Sequence, residues 1–263
     1  MHLARYIHTS CKFRDDDFLV CSFPRSGRTW VRFFICYYII SLYELDVTLT
    51  WNNFDQVAPG PLCTSNEKGG MKEYVFDIPR PVFSHRAEFS KYIEEKRVAY
   101  IARKFEDIII SKYYWEQHHG SRRVKNVTLD NFISKEFKWK KAIHRLKSFS
   151  AALENTSECQ IVSFEELKSN TYDTFGKIIK VSPYQYDRDT LTKSIERSQY
   201  DNLHRKERKE KDIDNKAAYH TRQGNKGAAS DELSRSMRIM INRVIKNEVP
   251  SPLCKYYIND KFV

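Results

Sequence analysis

Short apolar runs rich in Val, Ile and Phe recur along the chain, and a polar turn and helical periodicity follow each of them. This alternation is typical of parallel strands joined by crossover helices, because a parallel strand is buried on both faces. The predicted strands are residues 17–23, 81–84, 98–102 and 160–164. The predicted helices are residues 28–45, 106–117, 137–155, 171–180 and 230–247. We therefore expect an α/β fold with a central parallel sheet flanked by helices.

The length of 263 residues is sufficient to bury a substantial core, and we interpret residues 1–263 as a single domain. Two segments interrupt the α/β pattern. Residues 50–72 carry several glycines and prolines and are predicted to form a surface excursion. Residues 204–216 mix charges of both signs with few apolar residues, which predicts a mobile loop. An alternative for residues 204–220 is a lid that orders over a bound anion.

The charge balance favours an anionic partner. Lys and Arg number 45 against 34 Asp and Glu, which leaves a net charge of +11. Such a balance suits a nucleotide, a sulfated or phosphorylated compound, nucleic acid or an acidic surface. The six cysteines form no CxxC pair, which argues against a zinc knuckle and favours a reducing cytoplasm. No secretory signal is visible, and the longest apolar run, residues 33–43, is too short to cross a bilayer, so it predicts a buried helix.

The stretch FLVCSFPRSGRTW passes from an apolar strand through a polar turn into a helix. Such a junction gathers backbone N–H groups and the positive end of a helix dipole around one point. Gly27 allows a close backbone approach to an anion, while Ser26 and Thr29 offer hydroxyl donors. A Walker A loop requires GxxxxGK[ST], and here both the first glycine and the lysine are missing. The loop therefore predicts an anion site of another type.

The residues PRSGRTW resemble the PKSGTTW or PRSGTTW signature of sulfotransferases that use 3′-phosphoadenosine 5′-phosphosulfate (PAPS). This resemblance implies that the loop wraps the 5′-phosphosulfate, with Arg25 on the bridging oxygen and Trp30 against adenine. The implied donor-binding residues of the loop are Arg25, Ser26, Gly27, Arg28, Thr29 and Trp30. Arg28 departs from the family, which usually has threonine there, so it adds a cation and removes a hydroxyl.

A second stretch, VAYIARKFEDIIISKYYW, resembles the family pattern YxxRNPxDxxxSxY. Arg103 stands at a predicted strand end, and Ser111 follows eight residues later on the next helix. The resemblance implies that this arginine and serine clamp the 3′-phosphate that distinguishes PAPS from ATP. Lys104 and Phe105 replace the usual Asn-Pro, which changes the turn but keeps the clamp.

A third stretch, RPVFSH, resembles the family strand that ends in K-T-H and delivers the general base. The resemblance assigns the base to His85, with Arg25 as its catalytic partner on the leaving oxygen. Phe83 stands where many members have lysine, so one positive contact to the transferring group is missing. The charge could come from Arg25 or Arg28.

Three further segments resemble family segments. Phe164 in QIVSFEELK replaces a tyrosine near adenine, and Ser198 and Tyr200 match the S-x-F-x-x-L segment beside the base. A late loop similar to R-K-G-x-x-G implies a return to the 3′-phosphate by Arg222, Gln223 and Gly224. All these motifs occur in the family's order between residues 17 and 227. The family's dimerisation segment is not apparent, and the oligomeric state is left open.

The resemblance implies a cytoplasmic enzyme that moves a sulfuryl group from PAPS to a hydroxyl or amine of a small-molecule acceptor. The product of the donor would be adenosine 3′,5′-bisphosphate (PAP), and neither a metal, nor nucleic acid, nor a membrane is expected as a partner. Two alternatives stay open. One is a P-loop kinase or nucleotide hydrolase, although no convincing Walker lysine and Mg²⁺-binding acid are found. The other is a basic, non-catalytic nucleic-acid-binding protein, although its basic residues are spread through the chain.

Overall fold

The computed structural model describes residues 14–59, 74, 76–87, 90, 93, 96–119, 126–211 and 232–262. Within these residues a four-stranded sheet has the order β2-β1-β3-β4, and every pairing in it is parallel. The strands are β1 Phe18–Ser22, β2 Pro81–Ser84, β3 Arg97–Ala102 and β4 Cys159–Ser163. Each predicted strand is confirmed to within one residue at either end, because runs of apolar residues are buried on both faces of this sheet.

Helices follow the strands and cover both faces of the sheet, which confirms the predicted α/β class. Their bounds are α1 Arg28–Leu42, α2 Phe54–Val57, α3 Phe105–His119, α4 Leu129–Asn131, α5 Trp139–Glu154, α6 Phe164–Ser169, α7 Thr171–Val181, α8 Arg188–Ser198, α9 Tyr200–Lys211, α10 Arg235–Glu248 and α11 Cys254–Tyr257, with a π-helical turn at Phe132–Glu136 and a 3₁₀ turn at Asp260–Phe262. The apolar run 33–43 lies in α1 and is mostly buried, as predicted. In the described part of the chain, no helix combines the length and apolar character needed to span a bilayer.

The core has two layers, one on each face of the sheet. In β1, Leu19 and Cys21 point into a cluster with residues of α3, α5 and α10. Phe18 and Val20 point to the opposite face, where α1, α7 and α8 pack. This alternation follows from the two-residue period of a strand. Helices thus cover both faces of the sheet, and the residues that follow its strands lie at its carboxyl edge.

Strand register decides which residues share that edge. Cys21 of β1 lies beside Ser84 of β2 and beside Tyr100 of β3, while Ala102 of β3 lies beside Ser163 of β4. The chain therefore leaves the sheet at the same edge after each of the four strands. Open α/β sheets bind ligands beyond this carboxyl edge.

The end of β4 is set by a helix cap. Phe164 was expected to end the strand, but it is the first residue of α6. The Ser163 hydroxyl accepts a hydrogen bond from the Glu166 N–H at 3.1 Å, and the Glu166 carboxylate accepts one from the Ser163 N–H at 2.7 Å. This capping box satisfies two backbone donors at once, so the chain turns into a helix one residue earlier than expected.

The prediction of a mobile loop at 204–216 is wrong for residues 204–211, which form most of α9. The helix is anchored to the 49–51 segment. Lys206 Nζ donates to the Leu49 carbonyl, and the Glu210 carboxylate accepts from the Trp51 N–H at 2.6 Å. Glu207 is fully buried. Charge density alone did not reveal these contacts, since each is made with a residue distant in sequence. Residues 212–220 lie outside the described residues.

The prediction of a surface excursion at 50–72 is also wrong in its first part. Trp51, Val57 and Ala58 are buried in the layer beneath α1, and residues 54–57 form α2. Burial of these apolar side chains holds the segment in the core, although the glycines and prolines that follow it predict an exposed loop. Residues 60–72 lie outside the described residues.

Candidate functional site

The loop between β1 and α1 has two residues in the left-handed backbone region. Arg25 has φ 74°, and Gly27, which caps α1, has φ 93°. Gly27 provides no side-chain cap, and its carbonyl accepts from the Trp30 N–H at 3.0 Å. The positive end of the α1 dipole therefore faces the loop without a side chain to neutralise it. This geometry favours a bound anion.

Arg25 links this loop to the second predicted motif. Its Nε donates a hydrogen bond to the Ser111 hydroxyl at 3.1 Å, and its carbonyl accepts one from Arg103 Nη1 at 3.4 Å. Arg103 Nη2 also lies 3.9 Å from the Asp107 carboxylate, one helical turn further along α3. Arg25 thus forms one cluster with Arg103 and Ser111, which lie 78 and 86 residues later in the sequence. We call these three residues the Arg-Ser cluster.

Phe164 lies against the same loop. The Arg103 guanidinium carbon stands 4.4 Å from the centre of its ring, and the Trp30 ring meets it edge-on at 6.1 Å. A Cβ placed on Gly27 would lie only 2.5 Å from Phe164 Cδ2. Glycine at position 27 is therefore required by both space and backbone conformation. The close packing puts an aromatic surface beside the Arg-Ser cluster.

Trp30 extends this aromatic surface. Its ring contacts Phe175 edge-on at 5.3 Å, and Lys168 Nζ lies 5.4 Å from the ring centre. The Trp30 indole N–H is buried and has no hydrogen-bond partner among the described residues. An aromatic face with a nearby cation and an unused donor suits a planar heterocycle that carries acceptors.

One acid close to the cluster is held by the backbone rather than by an arginine. Glu165 follows Phe164, and its carboxylate accepts a hydrogen bond from the Lys104 N–H at 3.3 Å. Burial raises the pKa of Glu165, while the nearby Arg103 opposes this shift. Asp107, 3.9 Å from Arg103, is a second acid beside the cluster.

His85 follows β2 directly and stands at the same edge of the sheet, on the side of β1 away from β3. Its Nδ1 is buried and has no hydrogen-bond partner among the residues described. Burial lowers the pKa of His85 to about 3, with further lowering by the charges of Arg28, Arg145 and Arg86. The imidazole is therefore neutral at physiological pH and can accept a proton.

Arg28, the residue that departs from the family signature, begins α1 close to His85. Burial lowers the pKa of Arg28 to about 10, so it stays charged at neutral pH. Its Nη1 is buried and finds no hydrogen-bond partner within the described part of the chain. A buried cationic donor without a partner is costly unless an anion completes it.

Four further predicted site residues lie in α8, in α9, in the loop after β1 and in the first turn of α1. Ser198 is fully buried in α8, where its hydroxyl donates to the Ile195 carbonyl at 3.1 Å. Tyr200 begins α9 and stacks on His204 with ring centres 5.5 Å apart. Ser26 is fully buried in the loop and Thr29 stands in the first turn of α1. The predicted residues Arg222, Gln223 and Gly224 lie outside the described residues.

Three arginines near the site, Arg32, Arg86 and Arg145, were missed by the sequence reasoning. Arg32, one turn after Arg28, pairs with Asp55, donates to the Ala58 carbonyl at 2.6 Å and lies 5.5 Å from the ring centre of Phe83. Arg145 of α5 places its guanidinium carbon 5.6 Å from the ring centre of Phe23. A signal for Arg145 was present, since it lies three residues after buried Ala142 and one before buried Leu146, on the apolar face of an amphipathic helix.

The described residues contain no group of three or more His, Cys, Asp or Glu side chains arranged to hold a metal ion. The arrangement instead offers arginines, a helix terminus and an aromatic surface at one edge of the sheet. Groups of these kinds suit an anionic ligand that carries a ring.

Comparisons with known proteins give one family. The model of the sulfotransferase domain matches residues 15–251. No curated protein matches the chain in sequence. Among solved structures, mouse sulfotransferase SULT7A1 complexed with PAP is 14% identical, with a TM-score of 0.61 over 92% of this chain and 86% of that one.

Two further structures are similar in fold. Retinol dehydratase in complex with androsterone and inactive cofactor PAP is 12% identical, with a TM-score of 0.64 over 91% of this chain and 82% of that one. A putative steroid sulphotransferase from Arabidopsis thaliana is 16% identical, with a TM-score of 0.55 over 93% and 80% of the two chains. At these identities the likeness establishes the fold, which agrees with the predicted α/β class.

Proposed function

The chain belongs to the sulfotransferase family, and from this premise we propose that it transfers a sulfuryl group from PAPS to a hydroxyl or amine of a small-molecule acceptor. The reaction breaks the bond between sulfur and the phosphate oxygen of PAPS, joins the sulfur to the acceptor oxygen or nitrogen, and leaves PAP. We further propose that residues 1–263 act as one domain in the cytoplasm, without nucleic acid or a membrane as partner.

The observation that carries this proposal is the Arg-Ser cluster. Arg25 comes from the loop after β1, while Arg103 and Ser111 come from the end of β3 and from α3, and hydrogen bonds join all three. Two guanidinium groups and a helix N-terminus at one edge suit a ligand with more than one anionic group. PAPS and PAP each carry anionic groups on both ribose ends, and their adenine suits the surface formed by Trp30 and Phe164.

In this proposal the residues of the loop stabilise charge rather than form bonds. Arg25 offsets the charge that develops on the departing phosphate oxygen, and the loop amides with Ser26 and Thr29 hold the 5′ end. Arg103 and Ser111 bind the 3′-phosphate, so their present bonds to Arg25 must rearrange when the ligand binds. Catalysis by positioning and electrostatic stabilisation is expected for a group transfer of this kind.

His85 serves as the general base in this proposal. Its neutral imidazole can take the proton of the acceptor hydroxyl or amine. A pKa of about 3 makes it a weak base in the free protein, because burial disfavours the charged imidazolium and the charges of Arg28, Arg145 and Arg86 lower the pKa further. A bound anion offsets the charges of the arginines and so raises the pKa of His85, which strengthens the base. In this proposal Arg28 provides the positive contact to the transferring group that many family members make with a lysine at the position of Phe83.

Support for small-molecule acceptors comes from the similar structures. The retinol dehydratase structure contains androsterone, and a second structure of that protein contains retinol. We therefore propose an acceptor of comparable size. Ser198, Tyr200 and the late loop with Arg222, Gln223 and Gly224 remain proposed contacts to the donor, on the strength of the family motifs alone.

Calorimetric titration with PAP, ATP and DNA tests the donor assignment. PAP should bind more tightly than ATP and DNA. Arg103→Ala should weaken PAP binding by about 2 kcal/mol, or roughly 30-fold, as expected for the loss of a charged hydrogen-bond donor. Arg97→Ala is the matched control, since Arg97 stands at the opposite end of the same strand, exposed and paired with Glu158 at 3.0 Å. Equal PAP affinities for Arg103→Ala and the parent would refute the cluster as donor site.

The base assignment needs a separate variant. His85→Ala should abolish sulfuryl transfer from PAPS while PAP affinity stays within about threefold of the parent, because the imidazole faces the acceptor and not the nucleotide. Release of PAP, followed in single-turnover assays with a panel of phenols, alcohols and amines, measures this. Retained turnover in His85→Ala would exclude the imidazole as base.

A further inference from the structure

We propose that Arg238 and Asn259 are positioning residues for the donor, because they hold Glu106 and, through it, the helix α3 that carries Ser111. Neither residue has to touch the nucleotide for this role. The inference rests on the proposed sulfotransferase function and extends its donor site to the C-terminal part of the chain. Its consequence is that the preference for a nucleotide with a 3′-phosphate depends on residues that follow the motifs of the site.

The Glu106 carboxylate is the point at which the C-terminal part of the chain holds α3. Glu106 stands in the first turn of α3 and is almost fully buried. Its carboxylate accepts two hydrogen bonds from Arg238 of α10, from Nε at 2.8 Å and from Nη2 at 3.2 Å. A third hydrogen bond comes from Asn259 Nδ2 at 2.5 Å. A bidentate guanidinium and an amide from two separate segments thus fix this carboxylate in position.

These bonds determine how α3 is rotated about its axis. Consecutive helical residues point about 100° apart, so Glu106 and Asp107 face different sides of the helix. Ser111 lies four residues after Asp107 and therefore on the same face as Asp107. On this face Asp107 lies 3.9 Å from Arg103, and Ser111 accepts a hydrogen bond from Arg25 at 3.1 Å. The side of α3 held through Glu106 therefore sets the direction in which the other side meets the Arg-Ser cluster.

The residues that hold Glu106 are themselves joined into a network. The Asn259 N–H donates to Asn242 Oδ1 at 2.6 Å, and Asn242 Nδ2 donates to the Arg238 carbonyl at 2.8 Å. Asn242 and Asn259 are both buried. A network of this kind, in which buried polar groups satisfy one another, has a more fixed geometry than a single ion pair.

A second anchor holds α3 on the other side of Ser111. The Tyr114 hydroxyl, three residues after Ser111, donates to the Glu232 carboxylate at 2.5 Å. Glu106 and Tyr114 therefore bracket Ser111 on α3, and both are bound by residues from the C-terminal part of the chain.

Tyr257 of α11 extends the support to the loop after β1. Its side chain is fully buried, and its hydroxyl shares a hydrogen bond with the Tyr100 hydroxyl at 2.9 Å. Its ring lies 6.5 Å from the ring of Phe23, which leads into the loop of Arg25. It also lies 6.1 Å from the ring of Phe105, the first residue of α3. The same C-terminal part of the chain thus supports both elements that build the Arg-Ser cluster.

Calorimetry with PAP and with adenosine 5′-monophosphate, which lacks the 3′-phosphate, tests the positioning role. In the proposed site the 3′-phosphate depends on α3, whereas the 5′ end is held by the loop after β1. Asn259→Ala removes one of the three bonds to Glu106 and keeps the backbone bond to Asn242, so this variant should fold, as circular dichroism would verify. It should lower the ratio of PAP affinity to adenosine 5′-monophosphate affinity about fivefold or more, because charged hydrogen bonds to the 3′-phosphate lose their alignment.

Arg238→Lys is the second variant. It keeps the positive charge but cannot reproduce the two parallel bonds of the guanidinium, so the same ratio of affinities should fall. Lys147→Gln is the matched control. It breaks an exposed ion pair of 2.8 Å that joins α5 to Glu248 of the same helix α10, and it should keep the ratio of the parent.

A ratio equal to that of the parent in both Asn259→Ala and Arg238→Lys would overturn the positioning role. Equal losses of affinity for the two nucleotides would overturn it as well, since they indicate a general loss of structure. A parent protein that binds PAP no more tightly than adenosine 5′-monophosphate would instead contradict the proposed donor site.

Discussion

Gly27 provides a sharp test of the loop geometry, because two separate physical effects oppose any side chain at this position. Its φ of 93° lies in the left-handed region, which costs a residue with a Cβ about 1–2 kcal/mol. In addition, an added Cβ would lie 2.5 Å from Phe164 Cδ2 and 3.1 Å from Cε2. The ring is held by the Arg103 guanidinium at 4.4 Å and by the edge of Trp30, so it cannot move freely.

We expect Gly27→Ala to lower the free energy of unfolding by about 2–5 kcal/mol. This sum combines the backbone cost of about 1–2 kcal/mol with an overpacking cost of about 1–3 kcal/mol. Urea unfolding followed by circular dichroism measures it. Gly176→Ala is the matched control, since Gly176 lies inside α7 and its added Cβ would meet nothing closer than 3.7 Å. That control should leave stability unchanged or raise it by about 0.5–1 kcal/mol.

A double-mutant cycle with Phe164→Ala separates the two effects. With the ring removed, Gly27→Ala should cost only the backbone contribution of about 1–2 kcal/mol. The difference between the two backgrounds is the steric contribution. If Gly27→Ala unfolds at the same urea concentration as the parent, neither the left-handed cap nor the contact with Phe164 exists as described.

Two further predictions concern Arg25 and His85. Arg25 also has a left-handed φ of 74°, so the free energy of unfolding of Arg25→Gly should exceed that of Arg25→Ala by about 0.5–1 kcal/mol. Both variants lose the guanidinium and should bind PAP less tightly in calorimetry. Equal stability of the two variants would contradict the backbone strain at this position. The pKa of His85 is about 3 in the folded protein and about 6.5 in the unfolded chain. Between these two pH values the imidazole is protonated in the unfolded state and neutral in the folded state. The free energy of unfolding of the parent relative to that of His85→Asn should therefore fall as the pH drops from 7 to 4, by no more than about 1.4 kcal/mol per pH unit. If urea titrations show that this difference in free energy does not depend on pH, the imidazole is not buried and neutral.

Much of the α/β architecture could be predicted from local patterns. Each strand was found to within a residue because a strand buried on both faces leaves an uninterrupted apolar run. Helix α8 was missed although its signal was present. Asp187 caps its first turn by accepting from the Thr190 N–H at 2.7 Å, and Leu191, Ser194, Ile195 and Ser198 are buried at helical spacing. Two serines on the buried stripe weaken the apolar periodicity on which the prediction relied.

Helix α9 was predicted to be a mobile loop because most of its residues are charged. The stretch looked like a solvated loop, yet Glu207 is fully buried and Glu210 accepts a hydrogen bond from the Trp51 N–H. The contacts that anchor this helix join Lys206 to Leu49 and Glu210 to Trp51, in a segment more than 150 residues earlier. No local pattern contains that information.

What the sequence by itself determined is the set of residues that stand at the carboxyl ends of the strands, from Arg25 and His85 to Arg103 and Phe164. Parallel strands place their carboxyl ends at a common edge whatever their order in the sheet. These residues therefore had to lie along that one edge. Only the tertiary structure decided which of them touch. The bond from Arg25 to Ser111 and the contact of Phe164 with Gly27 depend on strand order, and the approach of Arg145 to Phe23 depends on how α5 packs. Such contacts join residues far apart in the chain, and their distances follow from the packing of the two core layers rather than from any spacing in the sequence.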